Sequence, residues 1–344
     1  MMKIRKCNKT ESDLRAVHEI SNVLWPEEAS TFSEFMYEER TRDPKFTFER
    51  FVGEVDGSIV AAGDYGHCSW SHVEGKYSVF VEVHPDHQKK GYGKQFYRFL
   101  VNELSRTDAD SLVTWTRDDK PDYGRFITDR GYKFAMRYNV SQLDLTTLDL
   151  SEFDWTGPKM KELGIEILCL TELATIDPRW KDTWYDLGWE LFQDVPSVDA
   201  VTRPSREQWE KRFESPRYQM DLHWFAREGE RAVGYTGLWL SDAEPEKIYT
   251  GLTGVVRSHR RKGLATALKV HGFRRASEMG KKIIETDNEE NNPMFDLNMR
   301  LGFRPVPAWI EYRRPFEGAA ARDATAPAET ESAPAGSAHT AGGV

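Results

Sequence analysis

The 344-residue chain has few cysteines and no long apolar run. Its three cysteines, Cys7, Cys68 and Cys169, have spacings that suit neither a disulfide framework nor a zinc site, so we expect a reducing cytoplasm and no metal. The first ten residues lack the apolar core of a signal peptide, and no run approaches the roughly 20 residues that span a bilayer. A net charge of −9 argues against nucleic acid or an acidic membrane as a partner.

Length and composition predict two domains. A chain of 344 residues suits about two units of roughly 150 residues each. Polar and turn-forming residues mark a linker at 146–162, which divides a first domain, 1–145, from a second, 163–315. The final segment, 316–344, is built mainly of Ala, Pro, Thr, Ser and Gly, and we expect it to be disordered.

One motif occurs twice, about 170 residues apart. Residues 83–93 and 255–265 both fit the pattern Gln/Arg-x-x-Gly-x-Gly/Ala, set between a strand-like run and a helix-like run. Each copy is followed, about 40 residues after its first glycine, by a Gly-aromatic pair, Gly131-Tyr132 or Gly302-Phe303. The shared spacing indicates an internal repeat of one structural unit.

Hydrophobic periodicity predicts similar elements in both halves. Asp56-Gly57 and Glu228-Gly229 each separate two strand-like runs, which predicts two hairpins. Apolar residues at helical spacing predict helices at 11–24, 91–104, 180–192 and 264–279, with Phe96, Leu100 and Leu104 on one face of the second. A further short helix is predicted at 123–130, where Gly131 stops it. The alternation of strands and helices places the chain in the α/β (α+β) class.

The repeated turn is suited to a pyrophosphate. Its glycine allows the backbone to approach a ligand closely, and the helix that follows presents unpaired N–H groups and its positive dipole end. Basic side chains flank both turns. The turn is not a Walker A loop, which needs Gly-Lys-Ser/Thr, nor a dinucleotide fingerprint, which needs a third glycine.

The turns, with the Gly-aromatic pairs, resemble the GNAT superfamily of N-acetyltransferases, which use acyl-CoA. Gln88 to Gly93 and Arg260 to Ala265 look like its pyrophosphate motif. The resemblance covers roughly residues 3–315 and implies two tandem domains, each a mixed, mostly antiparallel sheet flanked by helices, with a splayed central strand pair. The doubling is similar to the architecture of mycothiol synthases.

The resemblance implies acetyl-CoA, or another acyl-CoA, as cofactor, without a metal. The strand before each loop would contact the pantetheine arm, and the loop would hold the pyrophosphate. In the first half the implied cofactor residues are Val81, Glu82, Val83, Gln88, Lys89, Lys90, Gly91, Tyr92, Gly93 and Lys94. In the second half they are Thr253, Gly254, Val255, Arg260, Arg261, Lys262, Gly263, Leu264, Ala265, Thr266 and Asn291.

The two halves differ at two positions where the family often has a particular residue. The family often has an Asn at the start of the last helix and, four residues before the closing glycine, a Tyr that protonates the leaving thiolate. Asn291 occupies the first position in the second half, and Asn298 the second. The first half has Lys120 and Ile127 there. We therefore expect catalysis in the second half, although Asn at such a site is also a common helix cap.

Acetyl transfer from the thioester needs a base that takes a proton from an ammonium substrate. Tyr249 lies where some relatives carry the base, and Glu82 is a carboxylate near the presumed cleft, so these are the candidate catalytic residues. The alternative for Tyr249 is an aromatic residue of the core, and the alternative for Glu82 is a solvated carboxylate at the end of a strand. Glu285 and Asp287 are further candidates for proton relay.

The predicted activity is transfer of an acetyl group from acetyl-CoA to a primary amine of a small molecule. The alternatives are acetylation of a sugar amine, as in mycothiol synthases, and a CoA-binding regulatory protein without turnover. Two fused domains predict a monomer that is a pseudo-dimer, or a homodimer. The acceptor cannot be predicted, because acceptor loops carry no motif.

Overall fold

A computed structural model describes residues 2–317, so the predicted tail lies outside the described residues except for its first two positions. The strands are β1 (Lys3–Lys6), β2 (Phe48–Val55), β3 (Ser58–Gly66), β4 (Lys76–Val83), β5 (Ser111–Arg117), β6 (Lys133–Asp144), β7 (Ile165–Cys169), β8 (His223–Glu228), β9 (Arg231–Leu240), β10 (Lys247–Val255), β11 (Ile283–Glu289), β12 (Arg304–Pro305) and β13 (Trp309–Pro315). The helices are α1 (Glu11–Leu24), α2 (Phe32–Thr41), α3 (Tyr92–Leu104), α4 (Pro121–Thr128), α5 (Thr156–Glu162), α6 (Leu170–Ile176), α7 (Trp180–Phe192), α8 (Arg206–Glu210), α9 (Leu264–Glu278) and α10 (Pro293–Arg300).

The strands form one mixed sheet that runs through both halves. Its order is β1-β2-β3-β4-β5-β13-β6-β11-β10-β9-β8-β7, and β12 pairs with β6. The β4–β5 and β10–β11 pairs are parallel, and the other pairs along the sheet are antiparallel. The predicted class, with tandem domains and mixed, mostly antiparallel sheets, is confirmed.

Each parallel pair splays apart after three residues. In the first half the pairing of β4 with β5 ends at Ser78 and Val113, so Val79 to Val83 have no partner on β5. In the second half the pairing of β10 with β11 ends at Tyr249 and Glu285. Beyond these points the two strands of each pair no longer bond to each other, so the backbone groups on their facing edges border a gap.

The two halves exchange their last strands. The last strand of the second half, β13, pairs with β5 of the first half along Ser111 to Arg117. In return, β6 of the first half pairs with β11 of the second half along Ile283 to Glu289. The exchange crosses the predicted boundary at residue 145, and the predicted linker contains α5. The division into domains at those residues remains a prediction.

Local sequence explains the elements that position the site. Asp56 and Gly57 both have positive φ, 51° and 82°, as the predicted hairpin turn requires. Helix α3 buries the predicted face of Phe96, Leu100 and Leu104 against β4, and each of these side chains is fully buried. Helix α1 packs on the opposite face of the sheet. Strand β4 therefore lies between helices, with its free edge open to the gap.

Candidate active site

The two glycine turns have the same backbone conformation. A short 3₁₀ turn follows the strand in each half, at Pro85–His87 and Arg257–His259. Lys89 and Gly91 then have φ of 58° and 84°, and Arg261 and Gly263 have 61° and 89°. Positive φ favours glycine, which explains why the motif has a glycine just before each helix. The sequence repeat is thus also a repeat of local geometry.

The residue that begins each motif fastens the turn to its strand. Gln88 Nε2 donates to the carbonyl of Val83 at 3.0 Å. Arg260 Nε donates to the carbonyl of Val255 at the same distance. Each side chain satisfies the last carbonyl of the strand and holds the glycine turn over the splayed edge.

In the first half this turn opens onto a cleft of about 530 Å³. A Cβ atom added at Gly91 would meet nothing within 4 Å, so the backbone is accessible. Eight of the ten residues predicted to bind the cofactor in this half line the cleft: Val81, Glu82, Val83, Gln88, Lys89, Gly91, Gly93 and Lys94. Lys90 and Tyr92 do not; the Lys90 ammonium donates to the carbonyl of Asp86 instead.

In the second half the equivalent turn is covered by the predicted linker. A Cβ atom at Gly263 would lie 3.2 Å from the Trp155 ring and 3.9 Å from the Met160 methyl group. Met160, Val255 and Leu264 are buried together in the core of this half. None of the eleven residues predicted to bind the cofactor here lines the four cavities described for residues 2–317. The segment around α5 fills the space that is open in the first half.

The asparagines of the second half have structural roles or face solvent. Asn292, not Asn291, caps α10, by accepting a hydrogen bond from the Met294 N–H at 2.9 Å. Asn291 is exposed. Asn298, at the position where the family often has tyrosine, is fully buried and donates to Asn288 at 2.7 Å. The side chain at this position is therefore an amide, which cannot protonate a thiolate as a tyrosine hydroxyl would.

Glu82 stands between the cleft and a second cavity. Its side chain lines the 530 Å³ cleft and also a 400 Å³ cavity on the α1 side of the sheet. Trp25 Nε1 donates to its carboxylate at 2.8 Å and Ser21 Oγ at 3.3 Å. Burial, aided by the charge of Asp64, raises the pKa of the Glu82 carboxyl to about 7, despite the opposing Trp25 hydrogen bond. A carboxyl with this pKa is suited to accept a proton near neutral pH.

The register of the repeat places Gly254 at the position that Glu82 has in the first half. A Cβ atom at Gly254 would lie 3.1 Å from the Leu191 side chain, so there is no room there for a carboxylate. Tyr249, the predicted base of the second half, donates to Glu244 at 2.6 Å. Burial and this bond raise the pKa of the Tyr249 phenol well above its usual range, which disfavours it as a base. Its catalytic role stays a prediction.

Several residues that line the cleft were not predicted as site residues from the sequence. They are aromatic or basic and come from α1, α3, α4 and the chain that follows them: Trp25, Tyr97, Tyr123, Phe126, Arg130 and Tyr132. Tyr123 accepts a hydrogen bond from Gln88 at 3.0 Å and lies one turn before Ile127, which occupies the position where the family often has a tyrosine. Its position on the predicted helix was a feature of the sequence that could have indicated its place in the cleft. Trp25 follows the end of α1, and no feature of the sequence indicated that it lines the cleft.

A splayed parallel strand pair beside a glycine turn and helix, present twice, defines a tandem acyltransferase fold. The profile described as Acetyltransferase (GNAT) family matches residues 14–132 and 182–303, together more than half of the chain. The chain therefore belongs to the GNAT family. Membership supports acyl transfer in general, and the family generally uses acetyl-CoA.

Known proteins of similar size match most of the chain. It is 22% identical over 287 residues to a mycothiol acetyltransferase from Parafrankia sp. (strain EAN1pec), covering 77% of this chain and 85% of that protein. A tandem GNAT protein from the clavulanic acid biosynthesis pathway has a TM-score of 0.72 at 19% identity, covering 92% and 98% of the two chains. A GCN5-related N-acetyltransferase from Sphaerobacter thermophilus has a TM-score of 0.64 at 18% identity, covering 92% and 96%.

Two general properties follow from the described part of the chain. None of the helices between residues 2 and 317 is long and apolar enough to cross a membrane. Within the same range, no group of three His, Cys, Asp or Glu side chains is arranged to hold a metal ion.

Proposed function

We propose that this protein transfers an acetyl group from acetyl-CoA to a primary amine of a small molecule, and that the reaction takes place in the N-terminal half. The observation that carries the proposal is the position of Glu82, which lines both the cleft beside the glycine turn and the cavity on the other side of β4. From the sequence we expected catalysis in the C-terminal half. We place the proposed reaction in the N-terminal half instead, because residues of the predicted linker cover the glycine turn of the C-terminal half.

The N-terminal cleft fits the shape and charge of acyl-CoA. The open backbone at Gly91 and the N-terminus of α3 would hold the pyrophosphate, with Lys89 and Lys94 beside it. The free edge of β4, from Val79 to Val83, would bind the amide groups of the pantetheine arm. The aromatic side chains of the cleft supply apolar walls.

Acetyl-CoA supplies the acetyl group through its thioester. In the proposed mechanism Glu82 takes a proton from the ammonium group of the acceptor, directly or through water. The resulting amine nitrogen bonds to the carbonyl carbon as the carbon–sulfur bond breaks. The nitrogen then loses one more proton to become an amide, and a proton passes through water to the departing thiolate. Backbone N–H groups at the free edge of β4 can stabilise the negative charge that develops on the carbonyl oxygen.

A sugar amine, the alternative that the sequence resemblance implied, is the second candidate acceptor. This candidate uses the same cleft and the same base. Amino sugars therefore belong in any panel of acceptors, and their selective use would decide between the two classes of amine.

The experiment is to measure release of free thiol from acetyl-CoA with a panel of small amines. We expect turnover with at least one amine, and we expect Glu82→Gln to lower kcat by about 10²- to 10⁴-fold because the base is lost. Glu246→Gln is the matched control, since Glu246 is an exposed carboxylate paired with Lys282 at 2.5 Å. Full activity of Glu82→Gln would remove Glu82 from the mechanism. Absence of thiol release with every amine would contradict the proposed function.

A further inference from the structure

Two cavities meet between the halves, on the side of β4 that faces away from α3. One, of about 400 Å³, contains Glu82. The other, of about 550 Å³, extends to the splay of β10 and β11. They share five lining residues, Glu28, Glu34, Glu38, Arg217 and Tyr249, so the two cavities adjoin each other. We call this pair of cavities the central chamber.

The central chamber is strongly acidic. Its carboxylates come from both halves and number seven: Glu28, Glu34, Glu38, Asp64, Glu82, Glu285 and Asp287. Three guanidinium groups, those of Arg50, Arg212 and Arg217, line the same space. The cofactor cleft differs, because four Lys and Arg side chains face it against three carboxylates. The two sides of the proposed reaction centre therefore attract ligands of opposite charge.

Part of the acidic charge has no partner within the described residues. Glu38 and Asp287 make no ion pair or side-chain hydrogen bond there, whereas Asp64 pairs with Arg50 at 3.5 Å. Both residues are exposed to the solvent that fills the chamber, although the packing around them still raises the pKa of each carboxyl. An unpaired carboxylate at such a place is accessible to a cation that enters the chamber and attracts it.

A neutral group in the chamber wall also lacks a partner. The Thr250 side chain lies at the splay of β10, where the residue is only 7% exposed. Its hydroxyl has no hydrogen-bond partner among the described residues. Since buried hydroxyl groups are normally satisfied, this one indicates a polar ligand or water in the chamber.

The distribution of the carboxylates suits an extended cation rather than a metal ion. They occur along a path from β4 of the first half to β11 of the second half. No three of the described acidic groups are close enough to ligate one ion. Aromatic rings that line the same space, those of Phe80, Trp239, Tyr249 and Trp309, provide faces for methylene groups and cations.

We propose that the acceptor is a flexible polyamine-like molecule with two or more ammonium groups, bound along the central chamber with one amine at Glu82 and another near Glu38 and Asp287. This inference rests on the proposed function, which provides the reacting end at Glu82. The C-terminal half then contributes acceptor recognition, through Asp287 and Thr250, although its own glycine turn is covered.

The test compares n-butylamine, putrescine and spermidine, which differ in the number of ammonium groups. We expect kcat/KM to rise with each added charge and to be at least about tenfold higher for spermidine than for butylamine, with the difference shrinking as salt is raised. We expect Glu38→Gln and Asp287→Asn each to raise KM for spermidine about tenfold, with kcat within about twofold. Glu230→Gln, at an exposed hairpin turn, is the matched control and should change neither value.

Equilibrium binding separates this inference from the proposed function. Spermidine binding to CoA-saturated protein is measured by calorimetry, which needs no turnover. Tighter binding of spermidine than of butylamine, lost in Asp287→Asn and kept in Glu230→Gln, supports the acidic chamber even if no acetyl group is transferred. Equal binding of the two amines, or an unchanged affinity in both chamber variants, overturns it even if acetyl transfer to monoamines is found.

Discussion

The two glycine turns of this protein have the same backbone and opposite accessibility. Gly91 and Gly263 differ by only 5° in φ, and each turn is fastened to its strand by one side chain. The first turn opens onto a cleft, whereas Trp155 and Met160 cover the second. A phosphate-binding motif thus specifies the conformation of a loop but not whether a ligand can reach it.

The basic residues near the two turns have different ion-pair partners. In the second half, Arg257 and Arg260 both pair with Asp194, a residue at the end of α7. Their pairing holds the pKa of the Asp194 carboxyl below its usual value and leaves less positive charge for a phosphate. In the first half, Lys89 pairs only with the exposed Asp122, at 3.4 Å. Arg261, the counterpart of Lys89, makes no ion pair within residues 2–317, so the covering of Gly263 is the main difference between the turns, and we expect the second turn to serve packing.

Truncation of the Met160 side chain tests whether the segment that covers Gly263 is part of the core. Met160 is 4% exposed and packs with Val255 and Leu264. We expect Met160→Ala to lower the free energy of unfolding by about 2–5 kcal/mol, because it leaves a cavity. Urea denaturation measures this loss. Calorimetry should still find one CoA per chain, bound with unchanged affinity; a second equivalent would show that the linker is a removable cover.

Charge reversal at equivalent positions tests the comparison directly. Lys89 and Arg261 have the same place in their turns and nearly the same φ. We expect Lys89→Glu to weaken acetyl-CoA binding about tenfold, since it replaces a cation near the pyrophosphate with an anion. Arg261→Glu is its matched control and should change the dissociation constant by less than about twofold. Equal effects at both positions would mean that both halves bind CoA.

The pH dependence of the reaction gives the smallest expected effect. The raised pKa of Glu82, about 7, means that activity should fall as pH decreases through 7, because a protonated carboxyl cannot accept a proton. Asp64 contributes to this rise, whereas Arg50, Trp25 and Ser21 oppose it. We expect Asp64→Asn to move this limb of the kcat/KM profile down by about half a unit to one unit.

Asp287→Asn is the control for that profile, since Asp287 does not contribute to the pKa shift of Glu82. It should leave the midpoint of the limb in place while it affects KM for a polyamine. A midpoint that is the same in the Asp64→Asn variant and the unaltered protein would indicate that another group controls the limb.

Local patterns predicted the elements well because each depends on neighbours in the sequence. The helix predicted at 11–24 has those bounds in the structure, where Thr10 caps it. The turn at Asp56-Gly57 and the face of Phe96, Leu100 and Leu104 were also predicted correctly. The strand–turn–helix unit identified the family, and eight of its first-half residues line one cleft.

Long-range features could not be read from such patterns. The covering of Gly263 by Trp155 depends on residues more than a hundred positions apart, and the linker sequence resembles an ordinary connector. The raised pKa of Glu82 depends on its burial in the folded chain. Trp25, which lies 57 positions away in the sequence, is one of the residues beside it. The prediction of catalysis in the second half depended on Asn291 as a cofactor contact. In the structure this residue is exposed.

The exchange of β6 and β13 has a consequence for synthesis of the chain. Strand β5 is complete at residue 117, but the partner for its free edge begins at residue 309. At a translation rate of about 5–20 residues per second, β5 waits on the order of ten seconds or more with that edge unpaired. An unpaired edge is a template for association with other chains. The nascent N-terminal half is therefore expected to need a chaperone until its last neighbour emerges.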